Sequence, residues 1–215
     1  MKKIIYFIEF ILIKILFFIF KFIGYKFSSN LGFLIGVFFG PLIKSKKQII
    51  KNLEKANIQK PQNLKKIASN VLGNYGRILA EYVHLEDFRN DKLRKYISIE
   101  GLEHLYYLKK SKKKAVFISG HFNNFELMAM QIEKAGIELA AIYRPLNNVF
   151  LNKTMEKIRI ENICKNQIKK GRAGSREIIK NVKSGKSIAI MIDQRVREGE
   201  KVNFFNHLAT TTTIP

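Results

Sequence analysis

The chain is 215 residues long, which leaves room for one catalytic domain with an appendage. Its 39 lysines and arginines outnumber its 17 aspartates and glutamates, giving a formal net charge of +22. That excess favours an anionic partner, such as a nucleic acid, a membrane surface or a phosphorylated substrate, although an AT-biased genome would also enrich lysine. The single cysteine, Cys164, excludes an intrachain disulfide, and the histidines lack zinc-ligand spacing, so no metal site is predicted.

The first 43 residues are strongly apolar and predict a membrane anchor. Residues 4–20 are almost wholly apolar but contain Glu9 and Lys14, and a second apolar run covers residues 31–43. A cleaved signal peptide is disfavoured, because these charges lie inside its apolar region and no cleavage site follows. A clean spanning helix needs about 20 apolar residues, and a charge at the bilayer centre costs roughly 2.5–3.5 kcal/mol. We therefore expect either one spanning helix or a helix lying in the interface, with a buried soluble helix as the alternative.

The next part of the chain, residues 44–92, is predicted to be a helical segment. Residues 45–58 have an amphipathic pattern, and Pro61 marks a turn. An apolar stripe then predicts a longer helix over residues 63–83.

Residues 93–215 are predicted to form an α/β domain. A short strand at 97–99 and a short helix at 102–108 open it. Three strand–loop–helix units follow, which favours parallel strand pairing. The expected fold is a mixed, largely parallel sheet flanked by helices, behind the membrane-associated N-terminal helix. The predicted strands cover residues 115–119, 138–143 and 187–192, and the predicted helices cover about 123–134, 149–164 and 175–183, with a flexible turn at 171–174.

A polar residue follows each of the three strands: His121, Arg144 and Asp193. The carboxyl ends of parallel strands meet at one edge of a sheet, and open α/β sheets bind their ligands there. A histidine can take a proton from a hydroxyl group, and a nearby carboxylate such as Glu126 can orient its ring. The spacing leaves two alternatives open, because His121 could be an ordinary turn residue and Glu126 could belong to a capping box with Asn123.

Several blocks together resemble a known family. The segment around the histidine resembles the H-x4-[DE] block of the lysophospholipid acyltransferase superfamily, in the form found in the bacterial late acyltransferases of lipid A biosynthesis (lauroyl and myristoyl type): Ser119-Gly120-His121-Phe122-Asn123-Asn124-Phe125-Glu126. Three further blocks resemble that family in order: Tyr143-Arg144-Pro145-Leu146-Asn147-Asn148, Asp193-Gln194, and Val202-Asn203-Phe204-Phe205 with Ala209-Thr210.

The resemblance implies an acyltransferase of the cell inner membrane whose catalytic domain faces the cytoplasm. The implied donor is an acyl thioester on acyl carrier protein, and the implied acceptor is an anionic lipid, a Kdo-bearing lipid A precursor. No metal or organic cofactor is needed. In this scheme His121 deprotonates the acceptor hydroxyl and Glu126 holds His121.

Three further residues are candidate substrate-binding groups. Arg159 falls where the family has an arginine, and the planar guanidinium group suits phosphate. Asp193 is expected to pair with Arg159, while Arg144 is a weaker candidate for the same site. The alternatives are a surface arginine for Arg159 and a helix cap or turn residue for Asp193.

Two departures from the family pattern stand out. Asn206 occupies a turn position where the family commonly has glycine, and the chain stops at Pro215, whereas family members continue, so a fragment is predicted. The alternative functions are acyl transfer to a glycerol phospholipid or another membrane lipid and, from another class, membrane-tethered nucleic-acid binding. The chain lacks helix-turn-helix, RRM and zinc-finger signatures, so no specific nucleic-acid partner is expected.

Overall fold

A computed structural model describes residues 2–57, 60–194, 196 and 199–213 of the chain. Its described helices, in chain order, are α1 (Lys2–Ile23), α2 (Tyr25–Ile43), α3 (Lys46–Ala56), α4 (Leu64–Glu81), α5 (Leu85–Arg89), α6 (Leu102–Ser111), α7 (Glu126–Lys134), α8 (Val149–Asn162) and α9 (Arg172–Lys183). Its described strands are β1 (Val116–Ser119), β2 (Leu139–Tyr143), β3 (Asn166–Lys169), β4 (Ser187–Met191), β5 (Glu200–Phe204) and β6 (His207–Thr211).

These elements divide into two compact units. Met1–Lys14 and His84–Asp193 form the first unit, and Ile15–Val83 and Gln194–Ile214 form the second. Helix α1 therefore contributes its first half to one unit and its second half to the other. The predicted division into an anchor, a helical segment and an α/β domain stays a prediction.

The first unit is built on a four-stranded parallel sheet in the order β1-β4-β2-β3. Helices surround the sheet, and the core cluster within it joins three of its strands through Ala140, Ile168 and Ile188. The predicted fold class, a mixed α/β fold with a largely parallel sheet and an apolar N-terminal helix, is confirmed.

One predicted strand is absent from the described structure, and one edge strand of this sheet was not predicted. Residues 97–99 pair with no strand in the described structure and follow a short 3₁₀ turn at Arg94–Tyr96. Strand β3 was not predicted, because its sequence Asn-Gln-Ile-Lys buries only Ile168 and shows almost no apolar pattern. The alternation at residues 97–99 covers only three positions and is therefore weak evidence for a strand. Strand β3 buries a single apolar side chain and shows no alternation that could predict it.

The predicted flexible turn at residues 171–174 is wrong as well, because α9 begins at Arg172 and includes Gly174. A Cβ atom on Gly174 would lie 2.1 Å from the backbone oxygen of Lys169. The glycine therefore allows α9 to approach the end of β3 closely, and its role is packing of a helix and not flexibility of a turn.

In the second unit, α2 packs antiparallel against α4, and β5 and β6 form a hairpin. The hairpin turns at Phe205 and Asn206, whose φ angles are 50° and 60°. Asparagine tolerates this left-handed conformation better than most residues, so Asn206 can stand where the family commonly has glycine.

The predicted anchor region contains two helices, separated at Gly24 with φ 79°. Among the described helices, α2 is long and apolar enough to cross a membrane, with a mean hydropathy of 1.3. The core helix of a soluble protein can meet the same length and composition criteria. The anchoring role of residues 1–43 stays a prediction.

Candidate active site

Strand order brings His121 and Asp193 together. Strands β1 and β4 are adjacent and parallel, and Ser119 at the end of one is in register with Met191 at the end of the other. The two loops that follow these strands therefore leave the sheet side by side, as expected at the carboxyl edge of a parallel sheet.

The side chain of Asp193 forms two hydrogen bonds with His121. Oδ1 lies 2.7 Å from the ring nitrogen Nδ1, and Oδ2 accepts a hydrogen bond of 2.7 Å from the backbone N–H. Gly120 makes room for this arrangement, because a Cβ atom there would lie 3.1 Å from Asp193 Oδ2 and 2.9 Å from the Phe122 ring. The ring of Phe125 packs edge-on against the imidazole, with the centroids 4.6 Å apart. Backbone, carboxylate and aromatic contacts thus fix the orientation of the histidine.

The electrostatics of the pair favour an ionised aspartate. Partial burial raises the pKa of Asp193, but the hydrogen bonds from the backbone and ring of His121, together with the attraction of its positive form, outweigh this effect and leave the pKa below its usual value. An ionised carboxylate beside Nδ1 favours the histidine tautomer that carries its proton on Nδ1, because an ionised carboxylate can accept a hydrogen bond but cannot donate one. The other ring nitrogen, Nε2, is then an acceptor for a substrate proton.

Arg159 and Glu126 form a second pair in the same unit. Arg159 Nε donates to Glu126 Oε1 over 2.9 Å, and the two side chains are 15% and 9% exposed. Glu126 is the first residue of α7, where the positive end of the helix dipole favours a carboxylate. The guanidinium carbon of Arg159 also lies 5.7 Å from the centroid of the Tyr143 ring, within cation–π range. Arg159 is therefore a largely buried, oriented group and not a surface arginine.

Tyr143 supports this arginine through its ring. The side chain is only 8% exposed. Burial raises the pKa of Tyr143 strongly, and the nearby Glu156 carboxylate raises it further, so the hydroxyl stays protonated. The ring, placed at the end of β2, is the part of Tyr143 that contacts Arg159.

The structure pairs the predicted residues differently from the sequence analysis. Asp193, expected at Arg159, contacts His121, and Glu126, expected to hold His121, contacts Arg159. The capping-box alternative is wrong, because Phe125 is the N-cap of α7, without a side-chain cap, and Asn123 has a φ of 43°. The interpretation of Asp193 as only a cap or turn residue is also wrong, because its carboxylate bonds the histidine.

Arg144 occupies the third predicted position, directly after β2, with an exposed side chain. Its binding role stays a prediction. No group of three or more His, Cys, Asp or Glu side chains in the described part of the chain is arranged to hold a metal ion.

Asn148 is a structural residue that the sequence analysis quoted but did not single out. Its Oδ1 accepts hydrogen bonds from the N–H groups of Phe150 and Leu151 and thereby caps α8. Its Nδ2 donates to the backbone oxygen of Tyr6 and to the carboxylate of Glu9 on α1. The sequence signal was the asparagine that ends the block of residues 143–148. Asn148 ties the start of α1 to the helix that carries Arg159.

Fold and site together define an α/β enzyme that presents an oriented imidazole at the carboxyl edge of its sheet. This arrangement suits the removal of a proton from a hydroxyl group. Comparison with known families identifies the kind of enzyme. Residues 1–215, the whole chain, match the family described as Bacterial lipid A biosynthesis acyltransferase, and the chain belongs to this family. The protein is therefore an acyltransferase. A comparison with individual curated proteins finds no match.

Proposed function

We propose that the protein transfers a fatty acyl chain from an acyl thioester, carried by acyl carrier protein, to a hydroxyl group of a lipid A precursor. The family supports acyl transfer in lipid A biosynthesis in general. The observation that carries the mechanism is the bond between His121 Nδ1 and Asp193, which leaves Nε2 to act on the acceptor.

In the proposed reaction, Nε2 of His121 takes the proton of the acceptor hydroxyl as its oxygen attacks the thioester carbonyl. The new C–O ester bond forms, the C–S bond breaks, and the leaving thiolate takes the proton from the imidazolium. The Asp193 carboxylate orients the ring and stabilises the positive imidazolium between the two proton transfers. The sequence prediction assigns this orienting role to Glu126, and the two assignments are separated by a measurement given below.

Arg159 is proposed to bind an anionic group of the substrate, with Glu126 and Tyr143 holding its guanidinium group in place. A planar, permanently charged fork suits the phosphates of a lipid A precursor and of the carrier's prosthetic arm. Arg144, exposed at the same edge of the sheet, is a further candidate for such contacts.

The proposed partners explain the basic composition. An acidic carrier protein and an anionic lipid are both attracted by a net charge of +22. We propose a site of action at the cell inner membrane, with the catalytic unit on the cytoplasmic side. Nucleic acid is expected to bind weakly and with a steep dependence on salt.

The test is consumption of acyl thioester by the purified protein with a panel of acyl carriers and lipid acceptors. His121→Ala should lower the rate by roughly 10²–10⁴-fold, because it removes the general base. His104→Ala is the matched control, since the side chain of His104 is 82% exposed on α6. An equal rate for His121→Ala and wild type would contradict the mechanism. Acyl transfer to a glycerol phospholipid but not to the lipid A precursor would show that the acceptor is the phospholipid.

A further inference from the structure

The helix that is apolar enough to span a membrane is paired along its whole length with another helix. Where α2 faces α4, glycines bring the two backbones into contact. A Cβ atom on Gly32 would lie 2.6 Å from the backbone oxygen of Gly76, and one on Gly36 would lie 2.4 Å from that of Leu72. Such spacing leaves no room for lipid between the helices.

Polar contacts join the same two helices at both ends. Near the start of α2, Ser29 Oγ donates to Glu81 Oε1 over 2.7 Å, and both residues are buried. Just beyond its end, Lys44 Nζ donates to the hydroxyl of Tyr75 over 3.0 Å. The pairing therefore covers the full length of α2, and α4 would have to cross a membrane together with α2 if α2 crossed it.

Helix α4 is unsuited to a bilayer interior. Its 18 residues include the charged side chains of Lys65, Lys66, Arg77 and Glu81. Charged residues are expensive within a bilayer and are tolerated there mainly when they face protein or water. The lysines are exposed, so α4 belongs at the water side of the interface.

The opposite face of α2 is an apolar surface that the second unit leaves uncovered. Its members recur at helical spacing and are strongly exposed: Phe27 74%, Leu31 37%, Leu34 51%, Phe38 73% and Leu42 84%. Exposed lysines stand at both ends of this surface: Lys21, Lys26, Lys44 and Lys47. Apolar side chains bordered by lysines are typical of a helix that lies in the interface of an anionic membrane.

We propose that α2 does not cross the membrane but lies along one leaflet that contains anionic lipid, with the face of Phe27, Leu34 and Phe38 inserted and α4 on the water side. This inference builds on the proposed membrane attachment and specifies its topology. Both ends of α2 would then lie on the same side of the bilayer.

Cysteine labelling tests the topology directly. Lys26→Cys and Lys47→Cys place one thiol near each end of α2, while the natural Cys164 is fully buried and serves as the unlabelled background. Each variant of the full chain is treated with a membrane-impermeant maleimide in sealed vesicles of both orientations. We expect both thiols to react from the same side. Reaction of the two thiols from opposite sides would overturn the proposal. A His121→Ala version should give the same pattern, so that loss of acyl transfer and loss of this topology can be told apart.

Vesicle flotation tests the inserted face. Phe38→Asp should lower partitioning of the purified protein onto phosphatidylglycerol-containing vesicles by at least about tenfold. Tyr106→Asp is the matched control, because Tyr106 is an exposed aromatic residue, 57% accessible, on α6. Circular dichroism checks that both variants are folded. Unchanged partitioning of Phe38→Asp would overturn the proposal, and loss of self-association without any change in partitioning would assign the face to a second copy of the chain.

Discussion

At the scale of single residues, the orientation of His121 depends on which carboxylate reaches Nδ1. The structure places Asp193 there at 2.7 Å and gives Glu126 to Arg159. Asp193→Asn should lower kcat by roughly 10²–10⁴-fold, because an amide does not enforce the required tautomer or stabilise the imidazolium. Glu126→Gln should act mainly on KM, through the loosened Arg159. A kcat loss confined to Glu126→Gln would restore the pairing predicted from the sequence.

The lowered pKa of Asp193 predicts how its contribution to stability depends on pH. A carboxyl group whose folded pKa lies below its unfolded value of about 3.9 stabilises the fold above that value and loses the contribution as the pH falls through the folded pKa. The thermal midpoint of Asp193→Asn should therefore lie below that of wild type at pH 7, and the gap should shrink towards pH 3. A gap independent of pH would mean that the ionised carboxylate is not the stabilising species.

Replacing Arg159 by lysine tests whether the site needs only a positive charge at this position or also the planar guanidinium group. Lysine keeps the positive charge but cannot donate from Nε to Glu126 while presenting a planar fork to the substrate. We expect a large drop in kcat/KM with a small change in thermal midpoint. Arg176→Lys, at an exposed position on α9, is the control. Loss of activity that only follows loss of folding would make the Arg159–Glu126 pair structural.

At the scale of elements, the packing of α9 against β3 is expected to outweigh the helix propensity of one of its residues, Gly174. Alanine is preferred to glycine inside a helix by about 1 kcal/mol, so propensity alone predicts that Gly174→Ala stabilises the protein. The new Cβ would meet the backbone oxygen of Lys169 at 2.1 Å, which a side-chain rotation cannot relieve. We expect destabilisation of roughly 1–3 kcal/mol, measured by chemical unfolding. A stabilised variant would show that α9 can move away from β3 at little cost.

The N-terminal helix α1 also contacts the first unit at its start. Its apolar composition suggests an anchor, yet Asn148 binds Tyr6 and Glu9, and the ring of Phe7 lies 5.6 Å from that of Phe150. Glu9, unfavourable in the middle of a spanning helix, has a partner inside the first unit. The start of α1 is therefore part of the catalytic fold.

At the scale of the whole molecule, charge and apolar surface should act together in membrane attachment. Salt screens the attraction between lysines and anionic lipid but leaves the burial of apolar side chains largely unaffected. Membrane fractions that contain the protein should therefore retain it through a high-salt wash. Release of intact protein by salt alone would show that attachment is electrostatic and that the exposed faces of α1 and α2 do not insert.

The amino-acid sequence by itself determined the α/β class, most of the helices and three strands of the parallel sheet, and it predicted the residues of the candidate site. These features depend on local patterns: apolar periodicity, strand ends followed by polar residues, and ordered blocks that resemble one family. Strand β3 and the start of α9 escaped prediction because a single buried Ile168 and a tightly packed Gly174 leave no periodic signal.

Only the tertiary structure decided which charged groups meet. Residues 121 and 126 are close in sequence, which suggested that Glu126 holds His121, yet β4 inserts beside β1 and brings Asp193 to the histidine from 72 positions away. Glu126, at the start of α7, meets Arg159 on α8 instead. Strand order is set by the packing of the whole sheet, and no local pattern encodes it. The candidate residues were therefore predicted from the chain, while their pairing is a property of the fold.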